Sequence, residues 1–491
     1  MIMSSMADIN ANFMIALPEI FIAGMIILLL LVDAFFKNSR ERNSFAIVGT
    51  TLMIACYLQF QIFMVHINEQ IMLTFNNMFI LDSLAIVMKI ATYLTGLVIL
   101  IYIRQYLKNH NILSSEFYVI FLFAILGMLV MISANNLLIL YVGLELLSLA
   151  LYGLIAINYN NIKSTEAAMK FFILGALASG LLLYGISFIY GATGGYLQLE
   201  QVFYSIHNGQ GVNHSILVFG LVFIVSGLVF KLGLAPFHMW IPDVYEGSPL
   251  PVTTIIGTIT KIAGVVFILR FLVSGLVELS GEWSTMLGLL AFISLFIGNI
   301  VAIAQTNIKR MLGYSTIAHM AFIAFGLMTL SVNGFHAVLF YLLTYVLTAL
   351  AGFGVLMILS DGGYECENID DLKGLAKTHP IYAGIMLLVM FSLAGIPPLV
   401  GFYAKFKILE ALINIGYVST AIYAVVMSLI GAFYYLRVVK VMYFDDKVLD
   451  IKVIKANYVV KSVVIINGLL LLVLGFMPNT ILNLCTYIIG R

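Results

Sequence analysis

Charge is what this sequence most lacks. Of its 491 residues only 10% are Asp, Glu, Lys or Arg, whereas 62% are hydrophobic. A water-facing domain carries about 25% charged residues, so there is too little charge here to cover a soluble surface. Cysteine is almost missing as well. Cys56, Cys366 and Cys485 are too few and too scattered for a four-cysteine iron–sulfur site, and they imply no disulfide framework. Neither sign of charge dominates; the net charge of +1 offers nothing to a nucleic acid. No G-x-G-x-x-G follows a strand pattern and no G-x-x-x-x-G-K-[ST] occurs. Redox chemistry and nucleotide binding are therefore expected on other chains, with no cofactor and no metal on this one. No Lys or Arg precedes Lys37, so the first apolar segment is not expected to be a secretory signal peptide.

What is present is apolar sequence in runs of about 20 residues, the length that crosses a bilayer as a helix. The mean hydropathy is +1.09. The runs do not alternate polar with apolar residues, which excludes a β-barrel. The expectation is an all-α polytopic membrane protein with about 14 transmembrane helices. The spans fall near 12–36, 44–67, 80–103, 116–134, 136–158, 166–190, 214–240, 250–274, 284–304, 311–330, 333–360, 380–410, 417–444 and 457–488. The last is long enough that its end could lie along the interface. Lys37, Arg40 and Arg42, then Arg104 and Lys108, Lys163, Lys309 and Arg310, Lys373 and Lys377, and Lys447, Lys452 and Lys455 all follow odd-numbered spans. By the positive-inside rule those loops face the cytoplasm (or matrix) and both termini lie outside. The longest polar loops, 191–213 and 361–379, are too short for an independent core.

Two segments share a theme. FKLGLAPFHMW in span seven and LAGIPPLVGFYAKF in span twelve are both interrupted by Gly and Pro, and both carry a lysine. They are five spans apart and so cross in opposite directions. That spacing suggests two inverted five-helix repeats, each with a discontinuous helix, the design of transporters that work at their broken helices. The expected division is a three-helix segment at 1–115, repeats at 116–274 and 284–444, and a C-terminal helix at 445–491. Pro236, Pro397 and Pro398 mark the breaks, and span seven is expected to open near Leu232–Ala235.

Charges inside these spans cost about 2.5–3.5 kcal/mol each on insertion scales. Glu145 sits in span five, Lys170 in span six, Lys231 in span seven, Lys261 in span eight and Lys405 beyond the span-twelve break. A lysine whose pKa moves with burial and with a nearby carboxylate can act as a switchable proton relay. His238, beside the first break, adds a group that titrates near neutrality. Each charge has a plainer reading as a snorkelling or statically paired side chain. That reading suits Lys170 in part, and Lys89, Arg270 and Lys407 better; His319 and His336 read as satisfied structural histidines.

The stretch KLGLAPFHMWIPDVYEGSPLPVTTIIGTITKIAG resembles the antiporter-like membrane subunits of respiratory complex I, the proton-pumping NADH–quinone oxidoreductase. NIKRMLGYSTIAHM (307–320) and SLAGIPPLVGFYAKF (392–406) agree, and the resemblance covers the whole chain. The continuation Val244-Tyr245-Glu246-Gly247-Ser248-Pro249 is similar to the N-type subunit (subunit 2 in mitochondria) rather than the L or M type. The resemblance implies that Glu145 is the span-five glutamate, Lys231 its span-seven partner, Lys261 the central span-eight lysine, Lys405 the residue at the span-twelve break and Lys170 a further span-six lysine. It implies flavin, iron–sulfur clusters and quinone on partner subunits, an M-type antiporter-like neighbour, and a bacterial inner membrane with periplasmic termini, or a mitochondrial one. An Mrp-type cation/proton antiporter subunit, a membrane-bound hydrogenase subunit and a pure scaffold are the competing readings.

Overall fold

The structure is a computed structural model that describes residues 13–35, 40–66, 71–110, 112, 114–209, 213–360, 364–446 and 457–489. Lys37, Lys447, Lys452 and Lys455, used above for orientation, lie outside the described residues, as do the two ends of the chain. Helices dominate because a backbone with no water beside it must satisfy its own N–H and C=O groups. Three come first: α1 (Leu17–Phe35), α2 (Arg40–His66) and α3 (Ser83–Asn109). Then follow α4 (Ser115–Ser133), α5 (Leu137–Ile155), α6 (Ile162–Ala192), the short α7 (Leu199–Asn208) and α8 (His214–Leu232). Next are α9 (Trp240–Gly247), α10 (Leu250–Gly257), α11 (Ile259–Ile268) and α12 (Ser280–Ile303). The second part holds α13 (Ile308–Met328), α14 (Val332–Leu359), the one-turn α15 (Leu375–Thr378), α16 (Pro380–Ala394), α17 (Val400–Asn414) and α18 (Val418–Phe444). The chain ends in α19 (Tyr458–Phe476) and α20 (Asn479–Ile489).

Thirteen segments among the described residues are long and apolar enough to span a membrane, one fewer than the sequence suggested. The difference is span twelve. Its break leaves α16 and α17 at 15 residues each, about 22 Å apiece against a hydrocarbon core of about 30 Å. Span fourteen is also divided, at Met477–Pro478, into α19 and α20. Burial identifies the centre. The α10–α11 segment is 94% buried, and α13 and α14 are 89% buried, whereas α1, α2 and α19 are at 28%. Small residues let helices in the first part close up: a Cβ on Gly127 of α4 would stand 2.6 Å from the Leu147 nitrogen of α5.

Among the described residues the all-α expectation holds apart from one hairpin. Strands β1 (Met72–Thr74) and β2 (Phe79–Leu81) pair antiparallel with Met72 opposite Leu81. Its turn is docked, not free: Asn135 Nδ2 donates to the Asn77 carbonyl at 3.0 Å and Gln198 Nε2 to the Asn76 carbonyl at 2.8 Å. The polar stretch 191–213, expected as loop, contains α7, whose first residue Leu199 is buried.

Candidate functional site: two broken helices and their lysines

Helix α8 stops where the sequence required it to. Gly233 takes a left-handed conformation (φ 85°), and its amide donates to the carbonyls of Val229 and Phe230. Leu234 donates back to Val229 at 3.0 Å. Pro236 has no N–H to continue the ladder. Residues 234–239 then turn, and the chain resumes as α9. The groups this opening frees are met by protein. Ala235 N donates to Ser294 Oγ at 2.8 Å, and Trp240 Nε1 to the Phe230 carbonyl at 3.0 Å.

The next freed carbonyl is met by a charge. Lys261 Nζ donates to the Leu232 carbonyl at 3.1 Å and stands 5.5 Å from the centre of the Trp240 ring. Lys261 is brought there by a break in span eight, between α10 and α11 at Thr258 (φ −125°, ψ −86°), which the sequence reading did not anticipate. Gly257 followed by the β-branched run Thr258-Ile259-Thr260 was the available signal.

Lys231, the last-turn lysine of α8, donates to Ser148 Oγ at 2.8 Å. Ser148 lies one turn beyond Glu145 on α5. Glu145 acts on Lys231 electrostatically but makes no ion pair with it, and its buried Oε1 has no hydrogen-bond partner among the described residues. The lysine's direct partner is therefore the serine. A serine three residues after a glutamate is too common a spacing to have marked it.

The second break repeats the backbone of the first. Helix α16 ends at Ala394; Gly395 is left-handed (φ 85°), its amide donates to Phe391 and Ser392, and Ile396 donates back to Phe391 at 2.9 Å. Pro397 and Pro398 fill the turn before α17. Lys405 reaches back from α17 to the Ala394 carbonyl at 2.9 Å and to Ser428 Oγ of α18 at 2.7 Å. At each break, then, an ammonium group rests on the last carbonyl before the left-handed glycine. The negative end of a helix dipole and an unpaired carbonyl are what a buried cation needs.

Next to Ala404, the residue before Lys405, lies a small cavity lined by His319, Tyr341, Thr344, Tyr345, Thr348 and Ser392, among others. His319 is bonded at both ring nitrogens, 2.6 Å from Tyr341 OH and 3.1 Å from Tyr435 OH. That agrees with a satisfied histidine. His238 lies half-buried on the turn between α8 and α9 and is not a partner of Lys231 or Lys261.

Lys170 is a correction. Its side chain is 43% exposed and paired with Glu166 at 2.8 Å and Asp243 at 2.9 Å, whereas Lys261 is 2% exposed. The reason is its position two turns into the long α6, whose start lies at the polar end. Arg310 of α13 joins the same cluster through Asp243 (2.7 Å) and Glu246 (3.2 Å). Burial alone would push the Asp243 carboxyl up, but the hydrogen bonds from Lys170 and Arg310 outweigh it and hold the group below the usual aspartate range. Lys309 grips the Ser248 carbonyl at 3.2 Å and pairs with Glu365 and Glu367. The sequence reading used Lys309 and Arg310 only as topology signals.

The plainer readings of three charges agree with their partners. Lys407 pairs with Glu410 at 2.7 Å, Arg270 with Asp82 at 2.6 Å, and Lys89 with Glu19 at 2.5 Å. Lys89 is fully buried, although it stands only two turns into α3 and its partner is in the first turn of α1. Among the described residues no group of three or more His, Cys, Asp or Glu could hold a metal ion.

Known proteins match this architecture. Residues 134–431 fit the family model described as NADH:quinone oxidoreductase/Mrp antiporter, transmembrane. The NADH-quinone oxidoreductase subunit N of Methylovorus glucosotrophus is 46% identical, with 99% of each chain covered. A chain of respiratory complex I from Thermus thermophilus superposes with a TM-score of 0.79 at 30% identity, covering 95% of this chain and 98% of that one. A chain of the Mrp complex from Dietzia sp. shares the fold with a TM-score of 0.84 at 19% identity over 98% of this chain and 97% of its own. On identity across essentially its whole length, the chain belongs to the subunit N family of NADH-quinone oxidoreductase, within the antiporter-like membrane proteins.

Proposed function

We propose that this chain translocates protons as a membrane subunit of an NADH–quinone oxidoreductase, using Lys231, Lys261 and Lys405 as relay groups and Glu145 as the anion that sets Lys231. The observation that carries the reading is the pair of broken helices with an ammonium on each half-helix end. Such an ammonium is held by dipoles and hydroxyls rather than by a fixed carboxylate, so its proton is not locked in an ion pair. Glu145 lies one turn from Ser148 and close enough to act on Lys231. When the carboxylate is near, Lys231 stays protonated; when it is drawn away, the proton moves on towards Lys261.

Each proton moved against 100 mV requires about 2.3 kcal/mol. In this reading that energy comes from electron transfer from NADH to quinone on other subunits, including an M-type neighbour in the membrane. Flavin, iron–sulfur clusters and quinone belong to those partners. The two breaks mark two inverted five-helix units at 116–274 and 284–444, and the membrane is the bacterial inner membrane with both termini outside. His238 and Lys170 hold secondary places, at the turn and in the charge cluster at the polar end of α6.

The Mrp-type antiporter is the second reading, favoured by the shared fold. The far higher identity to subunit N relatives weighs against it. The deciding experiment is NADH-driven proton uptake into inverted vesicles with Lys231→Ala beside wild type, with assembly of the complex checked on the same membranes. Loss of uptake in an assembled complex supports the role. Wild-type uptake removes it.

A further inference from the structure

A second group of buried polar side chains lies away from both breaks, in the three N-terminal helices. Glu19 of α1 and Lys89 of α3 form an ion pair at 2.5 Å, with Lys89 wholly buried and Glu19 7% exposed. Lys89 is the charged group against that carboxylate, which takes no further hydrogen bond among the described residues. Gln59 of α2 and Tyr93 of α3 are both fully buried, and among the described residues neither the Gln59 amide nor the Tyr93 hydroxyl has a hydrogen-bond partner. Tyr93 interacts electrostatically with Glu19 and with Cys56, which is three residues before Gln59. These side chains therefore share one interior between α1, α2 and α3. A purely structural ion pair at such depth needs its remaining lone pairs satisfied to be favourable. Here, among the described residues, they are not, and buried polar groups left in that condition call for a working role.

The cluster is also connected to span eight. Lys89 interacts electrostatically with Asp82 and Arg270. Asp82, whose side chain is 18% exposed, clamps Arg270 through two 2.6 Å hydrogen bonds and caps α3 through the Ala85 amide. Arg270 lies on a π-helical turn that continues α11 directly. Lys261 is nine residues earlier on the same rod, about 14 Å away along the axis. Segments of π-helix recur where a side chain must be aimed at a working position.

We propose that Glu19 and Lys89, with Tyr93 and Gln59, form a further proton-exchange site at the start of α3, linked through Asp82 and Arg270 to the rod that carries the α11 lysine. Taking up one proton forms the O–H bond of Glu19 beside cationic Lys89; releasing it to water restores the ion pair, and no oxidant or reductant is involved. The inference rests on the proton-translocation reading above. It adds a site in the N-terminal segment, outside both broken-helix units.

The test uses the assembled complex in inverted vesicles, with Lys231→Ala as a parallel control. In Glu19→Gln/Lys89→Met the pair becomes two neutral groups of similar size, which relieves any uncompensated charge. The expected result is a fall of about twofold or more in protons taken up per NADH, with a displaced pH profile. Wild-type uptake and an unchanged profile in an assembled double variant would overturn the site, even where Lys231→Ala has lost uptake. If Lys231→Ala itself pumps normally, the broader reading fails instead. Should the double variant not assemble, Tyr93→Phe removes one unpartnered oxygen without changing the packing. A displaced pH profile there supports the site, and an unaltered profile overturns it. A carboxylic-acid carbonyl band in redox-induced infrared difference spectra should vanish in Glu19→Gln.

Discussion

The two broken helices use the same backbone and opposite placements of the lysine. At the first, Lys231 precedes the left-handed Gly233, and the ammonium on the freed Leu232 carbonyl comes from the neighbouring span as Lys261. At the second, Lys405 lies ten residues beyond Gly395 and turns back on the Ala394 carbonyl of its own span. What recurs is the contact between a cation and a half-helix end, not the position of the cation in the chain. The surroundings also differ. A carboxylate, Glu145, acts on the first break, whereas His319 and a group of tyrosines lie beside the second.

That comparison can be broken most sharply at the lysines. Lys231→Ala and Lys261→Ala should each lower proton uptake, and NADH–quinone turnover with it, by about tenfold or more, with assembly intact. Lys405→Ala should do the same if the carbonyl contact is the shared working part. Near-normal uptake in Lys405→Ala alone would mean that the two breaks are alike only in backbone. Glu145→Gln should follow, with a smaller loss, because the carboxylate is not bonded to Lys231 but acts on it at a distance. A loss equal to that of Lys231→Ala would show direct pairing during turnover.

Glycine tests the backbone itself. A left-handed non-glycine residue costs about 1–2 kcal/mol. Gly233→Ala adds a clash with the Ile241 side chain, while Gly395→Ala places a Cβ 2.9 Å from Lys405 Cδ. Both should lower the melting temperature of the complex, Gly233→Ala by more because Ile241 is packed in the core. Gly395→Ala should also weaken uptake by displacing Lys405. Equal melting with normal uptake in both would refute the account of the turns.

Smaller effects belong to the polar end. Asp243 is held below the usual aspartate range in the folded protein, so its contribution is present at neutral pH. It is lost only as pH falls below about 4, towards the folded value. The melting difference between wild type and Asp243→Asn should hold from neutrality down to that point and then shrink; a difference that fades near pH 6 would contradict it. Lys170→Ala should change uptake least, since the lysine is exposed and Arg310 remains on Asp243. Loss matching Lys231→Ala would return Lys170 to the relay.

Legibility followed local chemistry. Gly233, Pro236, Gly395, Pro397 and Pro398 act within a few residues of where they stand, so both breaks could be read in the chain. Span twelve, expected to be discontinuous, is so divided that neither half is long enough to span alone. The hairpin at 72–81 was missed because three-residue strands carry too short a pattern. Ser148, Ser294 and Ser428 were out of reach altogether, since a serine becomes a partner only when another helix delivers a lysine or an open amide to it.

By itself the sequence determined that the chain must live in a bilayer as helices, where two of them must break, and which few residues carry charge into the apolar spans. Those are consequences of composition and of proline and glycine geometry, which need no neighbours. Tertiary structure alone decided that Lys261 and Lys405 rest on equivalent carbonyls, that Lys231 bonds to a serine while Glu145 stands apart, that Lys170 stays at the surface, and that Glu19 meets Lys89. Each of those depends on packing between helices distant in the chain, and packing is where a buried charge finds or fails to find its partner.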